Sequence, residues 1–174
     1  MRYTLKEVLD IAEKGGFAVP AFNVYNMETV MGIIRAAEEA KAPVIIQSYS
    51  RLFTNGEGYF VSPIILAAAK QASVPVCFHL DHGAGLSEVT RALRYGASGI
   101  MIDKSALTFE ENIDETKKIV DMCGSVGVAV EGELGHVGSV NDEKMDEFTS
   151  VTEARAYVEK TGVNALAILV GTAH

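Results

Sequence analysis

The sequence Val-Pro-Val-Cys-Phe-His-Leu-Asp-His-Gly at positions 74–83 decides the fold, because an apolar run leads directly into acidic and imidazole side chains. Positions 74–78 are typical of a buried strand, bounded by a proline and by a glycine-rich turn. Asp81 and His82 therefore lie at the carboxyl end of a strand, which is where α/β proteins bind ligands. These two residue types can bind a metal ion and move a proton.

The composition describes one globular domain, 1–174. With 48% hydrophobic residues the chain can bury a core, and its net charge of −8 comes with no basic stretch, which argues against nucleic acid or an anionic membrane as partner. Cys77 and Cys123 lack metal-type spacing and are expected to be free thiols. Without a signal peptide or an apolar run of about 18 residues, the sequence predicts a soluble, cytoplasmic protein.

Strand-like and helical segments alternate along the chain. Three helices are predicted to begin with capping boxes, Thr4/Glu7, Thr108/Glu111 and Ser150/Glu153, and Ser62-Pro63 is interpreted as an N-cap followed by proline at the first helical position. The six predicted strands cover 17–22, 44–46, 74–80, 99–102, 126–130 and 165–170. Because each parallel crossover needs a helix, this alternation predicts a parallel sheet.

Polar residues at the strand ends favour a barrel over an open, doubly wound sheet. An open sheet gathers its ligands at one crevice, whereas a barrel uses the mouth of many strands. No Gly-x-Gly-x-x-Gly follows the first strand, which weakens a dinucleotide interpretation. The residues at the strand ends are Asn23, Ser48 or Ser50, Asp81 with His82, Asp103, Glu131 with Glu133, and His174.

The predicted fold is therefore α/β, a (β/α)8 TIM barrel. Such a barrel has about eight strands, and this sequence stops just after the sixth. We expect the chain to supply about the first six β/α units of a single domain and to lack the last two.

Two histidines are candidate metal ligands, because His82 and His174 would face the same barrel mouth. Two imidazoles and one further ligand would make a catalytic zinc site with an open position. Asp81, beside a metal-bound His82, would suit a general acid/base, although it could instead cap the glycine-rich turn. Glu131 and Glu133 alternate on one strand, so both could bind the metal or orient its imidazoles.

The other two histidines have simpler interpretations. His79 should lie deeper than Asp81 on the same side of its strand, so we expect a hydrogen-bonded core histidine. His136 lies in a polar loop and is expected to be solvated.

Several motifs, taken together and in this order, resemble the class II, zinc-dependent ketose-bisphosphate aldolases, the fructose- and tagatose-bisphosphate group. Each motif alone is weak evidence for the family, but four motifs in the same order through the whole chain are specific evidence for it. The motifs are His79-Leu80-Asp81-His82-Gly83, Met101-Ile102-Asp103-Lys104-Ser105 with Phe109-Glu110-Glu111-Asn112, Glu131-Gly132-Glu133-Leu134-Gly135 and Gly171-Thr172-Ala173-His174, with Ala21-Phe22-Asn23-Val24 near the start.

The resemblance implies a carbon-carbon lyase that reversibly cleaves a phosphorylated ketose to dihydroxyacetone phosphate and an aldehyde. It further implies a homodimer or higher homo-oligomer in carbohydrate metabolism such as glycolysis. Zn²⁺ would polarise the ketone, as a Lewis acid does. By the same resemblance His82 and His174 bind zinc, Asp103 and Glu133 are supporting or secondary ligands, Asp81 is the acid/base, and Asn23 and Ser50 contact substrate.

The sequence departs from the family pattern in four respects. The third zinc-binding histidine and the phosphate-binding segments would come after position 174. Asn141 stands where the family has the glutamate that removes a proton from dihydroxyacetone phosphate, with Asp142 next to it, and Tyr49 replaces a common serine. The alternative hypothesis is therefore a non-catalytic aldolase-like binding or assembly protein. A metal-dependent hydrolase ranks last, because the first strand lacks a His-x-His pair.

Overall fold

A computed structural model describes residues 2–135 and 149–169. The chain divides into two compact units, Met1–Met101 and Ile102–His174. His136, Asn141, Asp142 and His174, about which the sequence made predictions, lie outside the described residues.

Seven strands and seven helices make up the described part of the chain. The first unit contains β1 (Arg2–Tyr3), α1 (Leu5–Gly15), β2 (Ala21–Asn23), α2 (Met27–Ala40), β3 (Val44–Tyr49), α3 (Ser50–Asn55), α4 (Gly58–Gln71), β4 (Val76–Gly83), α5 (Leu86–Arg94) and β5 (Gly99–Ile102), whose last residue opens the second unit. The second unit continues with α6 (Phe109–Gly124), β6 (Ala129–Leu134), α7 (Val151–Thr161) and β7 (Ala165–Ile168).

The strands of the first unit follow the order β2-β3-β4-β5. β2 pairs in parallel with β3, aligning Asn23 with Gln47, and β3 pairs in parallel with β4, aligning Tyr49 with Asp81. In the second unit, β6 and β7 also pair in parallel. The predicted alternation of parallel strands with helices is confirmed.

The short strand β1 was not predicted, because two residues carry no periodic pattern. It pairs in parallel with β4, aligning Arg2 with Val76. Ser98 holds this segment: its hydroxyl donates to the carbonyl of Tyr3 at 2.8 Å and accepts from the amide of Phe78 at 3.2 Å. The amino terminus is thereby fixed to the sheet by contacts between residues far apart in sequence.

The predicted capping boxes are confirmed at α1, α6 and α7. In each box a hydroxyl accepts from the third amide of the helix while a glutamate accepts from the amide of the cap residue. These bonds need only neighbouring residues, so the sequence can predict them. A fourth box, Asn26 with Thr29, opens α2.

The predicted start of the fourth helix is wrong. Helix α4 begins at Gly58, and Pro63 lies inside it. The short helix α3, which was not predicted, ends at Asn55. The next residue, Gly56, has a φ of 99° that lets the chain turn directly into α4. A Cβ at Gly58 would lie 3.0 Å from the Phe53 ring, so this tight turn leaves little room for a side chain at position 58.

The core of the first unit is built around β4. Val76, Cys77, Phe78 and Leu80 are fully buried there. Cys77 and Cys123 are thiols outside any disulfide, as predicted. Both are buried, and burial raises the pKa of the Cys123 thiol to about 11. Within the described part of the chain, no helix combines the length and the apolar character needed to cross a membrane.

Replacing Gly99 by alanine should destabilise the protein. The new Cβ would lie 2.6 Å from the His79 ring and 2.8 Å from the Leu5 Cβ. Overpacking of this kind costs about 1–3 kcal/mol, measurable as a lower urea midpoint. The control is Gly32→Ala in α2, where no atom lies within 4 Å. Because alanine favours a helix, this control should gain about 0.5–1 kcal/mol, and equal midpoints for the two variants would contradict the packing argument.

Candidate functional site

In the first unit, Asp81 is held by two amide side chains from neighbouring strands. Asn23 Nδ2 donates to Asp81 Oδ2 at 2.9 Å, and Gln47 Nε2 donates to Asp81 Oδ1 at 3.1 Å. Asp81 is only 7% exposed. Because each oxygen accepts one amide hydrogen, the carboxylate has a fixed orientation and keeps free lone pairs for a proton, which suits a general acid/base.

The sequence had suggested Asn23 as a substrate contact and had given Gln47 no role. Parallel pairing aligns Asn23 with Gln47 and Gln47 with His79, which brings both amides to one side of Asp81. The available clue was a polar residue directly after the apolar strand residues 44–46. Its role could not be assigned without the register between strands.

The two candidate serines after β3 differ in placement. Ser48 is 1% exposed and lies inside the strand, whereas Ser50 is half-buried and begins α3. Ser50 follows Tyr49, the residue aligned with Asp81. Ser50 is therefore the more accessible of the two.

His82 adopts an unusual backbone conformation at the end of β4, with a φ of 48°. Left-handed backbone is uncommon for residues other than glycine and persists where the surroundings enforce it, often at functional sites. The next residue, Gly83, is tightly packed: a Cβ there would lie 2.7 Å from the carbonyl oxygen of Met101. The half-buried imidazole and the Tyr49 ring form a T-shaped pair, with 6.2 Å between ring centroids and 65° between ring planes.

His79 is a core residue, as predicted, with 1% of its surface exposed. The hydrogen bond expected of its imidazole stays a prediction. Burial, helped by the nearby His82, lowers the pKa of His79 to about 3. Its imidazole is therefore neutral near pH 7, and a positive charge is kept out of the interior of the first unit.

The second unit brings together two acidic residues from different strand ends, Asp103 and Glu133. A carboxylate oxygen of each lies within 4.8 Å of the other. Asp103 Oδ1 accepts from the Ser105 amide at 3.0 Å and from its hydroxyl at 2.7 Å, while Glu133 is 5% exposed. Carboxylates so placed, like the imidazole of His82, are ligand types that divalent metals use in proteins.

The sequence profile of class II fructose-bisphosphate aldolase matches residues 3–174. The chain belongs to this family. A curated relative, the fructose-bisphosphate aldolase of Thermus caldophilus, is 42% identical over 179 aligned positions that cover 100% of this chain and 58% of the relative. The family resemblance inferred from the motifs is confirmed, and the chain spans somewhat more than half the length of this relative.

Solved structures of aldolases share the fold. The YdjI aldolase of Escherichia coli K12 matches with a TM-score of 0.88 and 36% identity, covering 98% of this chain and 61% of that one. A putative fructose-1,6-bisphosphate aldolase from Coccidioides immitis has a TM-score of 0.88 and 31% identity over the same shares. These matches confirm the predicted fold class, the first part of a TIM-barrel aldolase. The family is also generally metal-dependent.

The buried His79 should make stability depend on pH. The unfolded chain takes up a proton near the ordinary pKa of 6.5, whereas the folded chain does so only near 3. Because the unfolded state binds more protons in this window, the free energy of unfolding should fall with decreasing pH, by up to about 1.4 kcal/mol per pH unit.

The variant His79→Leu should lose this contribution. Urea unfolding between about pH 7 and pH 4 measures the slope for both proteins. Other acidic groups affect both equally, so the difference between the slopes isolates His79. Parallel curves for the two proteins would show that His79 is not buried as a neutral group.

Proposed function

We propose that the protein is a zinc-dependent aldolase that reversibly cleaves a phosphorylated ketose to dihydroxyacetone phosphate and an aldehyde. The observation that carries this proposal is Asp81, a buried carboxylate held by Asn23 and Gln47 immediately before His82. In a member of the class II aldolase family, this arrangement supplies a proton-transfer group next to a metal-ligating imidazole.

The donor set of the chain fits a divalent metal. We assign His82 and His174 as zinc ligands and Asp103 with Glu133 as supporting or secondary ligands. The support is chemical: imidazole nitrogens and carboxylate oxygens bind zinc, and the two carboxylates already lie close together in the second unit. When bound, zinc would supply the Lewis acid that polarises the substrate carbonyl.

Asp81 is the residue proposed to move the proton at the substrate hydroxyl or aldehyde oxygen. Its two amide bonds leave the carboxylate little freedom to rotate, and restricting a catalytic group in this way favours reaction. Asn23 is exposed on its strand, so its side-chain oxygen can contact substrate while its nitrogen holds Asp81. Ser50 is proposed as a second substrate contact.

Family membership also suggests the wider setting of the protein. We propose fructose or tagatose bisphosphate as substrate, a homodimer or higher homo-oligomer as assembly, and carbohydrate metabolism in the cytoplasm, such as glycolysis, as context. The relative from Thermus caldophilus is named as a fructose-bisphosphate aldolase, which supports the first of these substrates.

The variant His82→Ala should weaken zinc binding on the order of 100-fold, because a ligand imidazole is lost. Competition with a chromophoric chelator measures the affinity. His79→Leu is the matched control, since it removes another histidine of β4 that is buried and neutral. Equal zinc affinity for His82→Ala and the parent chain would contradict the ligand assignment.

The variant Asp81→Asn should lower kcat for aldol cleavage by about 10²- to 10⁴-fold, because an amide cannot exchange the proton. Zinc affinity should stay unchanged. The assay couples dihydroxyacetone phosphate to NADH oxidation and tests fructose and tagatose bisphosphates with the zinc-loaded chain. Unimpaired turnover by this variant would exclude Asp81 as the acid/base.

A second candidate function is a non-catalytic aldolase-like binding or assembly protein. Asn141 favours it, because an amide stands where the family has its proton-abstracting glutamate. The same assay separates the two functions. Zinc binding without cleavage of any ketose phosphate would support the binding protein, whereas chelator-sensitive cleavage supports the enzyme.

A further inference from the structure

Behind strand β6 of the second unit lies a buried polar cluster that the proposed reaction does not use. It consists of Asn112 and Thr116, one turn apart on α6, and Tyr157 on α7. All three side chains are 2% exposed or less. Buried polar groups are costly unless they are hydrogen-bonded, so the bonds within this cluster determine how it is arranged.

The hydrogen bonds fix the orientation of the Asn112 amide. Its Oδ1 lies 2.8 Å from the Tyr157 hydroxyl and 3.0 Å from the Thr116 hydroxyl, and the two hydroxyls lie 2.8 Å apart. On the other side, the amide nitrogen donates to the backbone carbonyl of Glu133 at 2.9 Å. Because a carbonyl oxygen can only accept, the atom that faces it must be the nitrogen, and Oδ1 must face the two hydroxyls.

Tyr157 also contacts the strand directly. A Cβ added at Gly132 would lie 2.8 Å from both the hydroxyl and the Cε1 of Tyr157. The glycine between Glu131 and Glu133 therefore leaves the space that the tyrosine occupies. The Tyr157 ring packs against Gly132, the residue before Glu133, and the Asn112 amide bonds to the carbonyl of Glu133 itself. The backbone is therefore held on both sides of the Glu133 Cα.

The surroundings of Tyr157 keep its hydroxyl protonated. Burial raises the pKa of Tyr157 to about 12, partly opposed by the bond with Thr116 and reinforced by the negative charges of Asp103 and Glu133. The tyrosine therefore stays a neutral hydroxyl that can donate throughout the neutral range.

We infer that Asn112, Thr116 and Tyr157 are positioning residues for Glu133. They hold the end of β6 so that the Glu133 carboxylate faces Asp103. The positioning of Glu133 is argued from the hydrogen bonds alone. Its consequence, a metal centre with the correct geometry, rests on the proposed function. Groups that orient metal ligands typically change metal affinity roughly 10- to 100-fold when they are removed. A cluster that merely filled the core would affect stability alone.

The test compares neutral, nearly isosteric variants. Tyr157→Phe and Thr116→Val each leave one hydroxyl donor on the Asn112 oxygen, so each should have a small effect. The double variant removes both donors and frees the amide to turn, so it should weaken zinc binding roughly tenfold or more beyond the sum of the single effects. Thr161→Val is the control for loss of a buried hydroxyl from α7. That hydroxyl donates to the backbone carbonyl of Tyr157 and accepts from the amide of Val163, and among the described hydrogen bonds it makes none to the Asn112 side chain.

Two measurements are made on each variant, zinc affinity by chelator competition and the ¹³C resonance of the Glu133 carboxyl in metal-free protein. The expected result is a shifted resonance and weaker zinc binding in the double variant, a smaller shift of the resonance in each single variant, and neither change in Thr161→Val. If the double variant fails to fold, the smaller shifts in the two single variants decide. A resonance that matches the control in every folded cluster variant overturns the inference.

The metal-free resonance separates this inference from the proposed function. If the parent chain binds no zinc, the proposed metal centre fails, and the carboxyl resonance alone decides whether the cluster positions Glu133. If zinc binds but the cluster variants behave like Thr161→Val in both measurements, the positioning role fails and the metal centre stands.

Discussion

The pair of amide bonds to Asp81 is the interaction on which the candidate site depends. It exists only because β2, β3 and β4 pair in parallel with a register that aligns Asn23 with Gln47 and Tyr49 with Asp81. A shift of one residue would turn every side chain of a strand to its other face. The Asp81 carboxylate is therefore correctly oriented only if β2, β3 and β4 keep this register. The core enforces the register.

Strand β4 carries two features that destabilise the protein when taken alone. His82 has left-handed backbone, and His79 is a histidine kept neutral by burial. Each of these features lowers stability by itself, so the fully buried neighbours Val76, Cys77, Phe78 and Leu80 on the same strand must compensate. In the second unit, position 132 is a glycine, which leaves the space in which Tyr157 packs behind Glu133. Both units thus use core packing to set the direction of a polar side chain.

Much of the fold could be predicted from local patterns. The alternation of strands with helices and the capping boxes of α1, α6 and α7 follow from residues close in sequence. The family could also be recognised from ordered motifs. The start of α4 was wrong, because the close packing of Phe53 on Gly58 carries no periodic or capping signal. Strand β1 was missed, because the bond from Ser98 to Tyr3 joins segments that are far apart in sequence. Gln47 was missed for the same reason.

The sequence by itself determined the fold class, the family and the residue types of the candidate site, since periodicity, capping and motif order are properties of the chain alone. Only the tertiary structure decided which of these residues cooperate. The bond from Gln47 to Asp81 spans 34 positions and that from Tyr157 to Asn112 spans 45. Hydrogen bonds act over about 3 Å, so their partners are fixed by strand register and helix packing rather than by spacing along the chain.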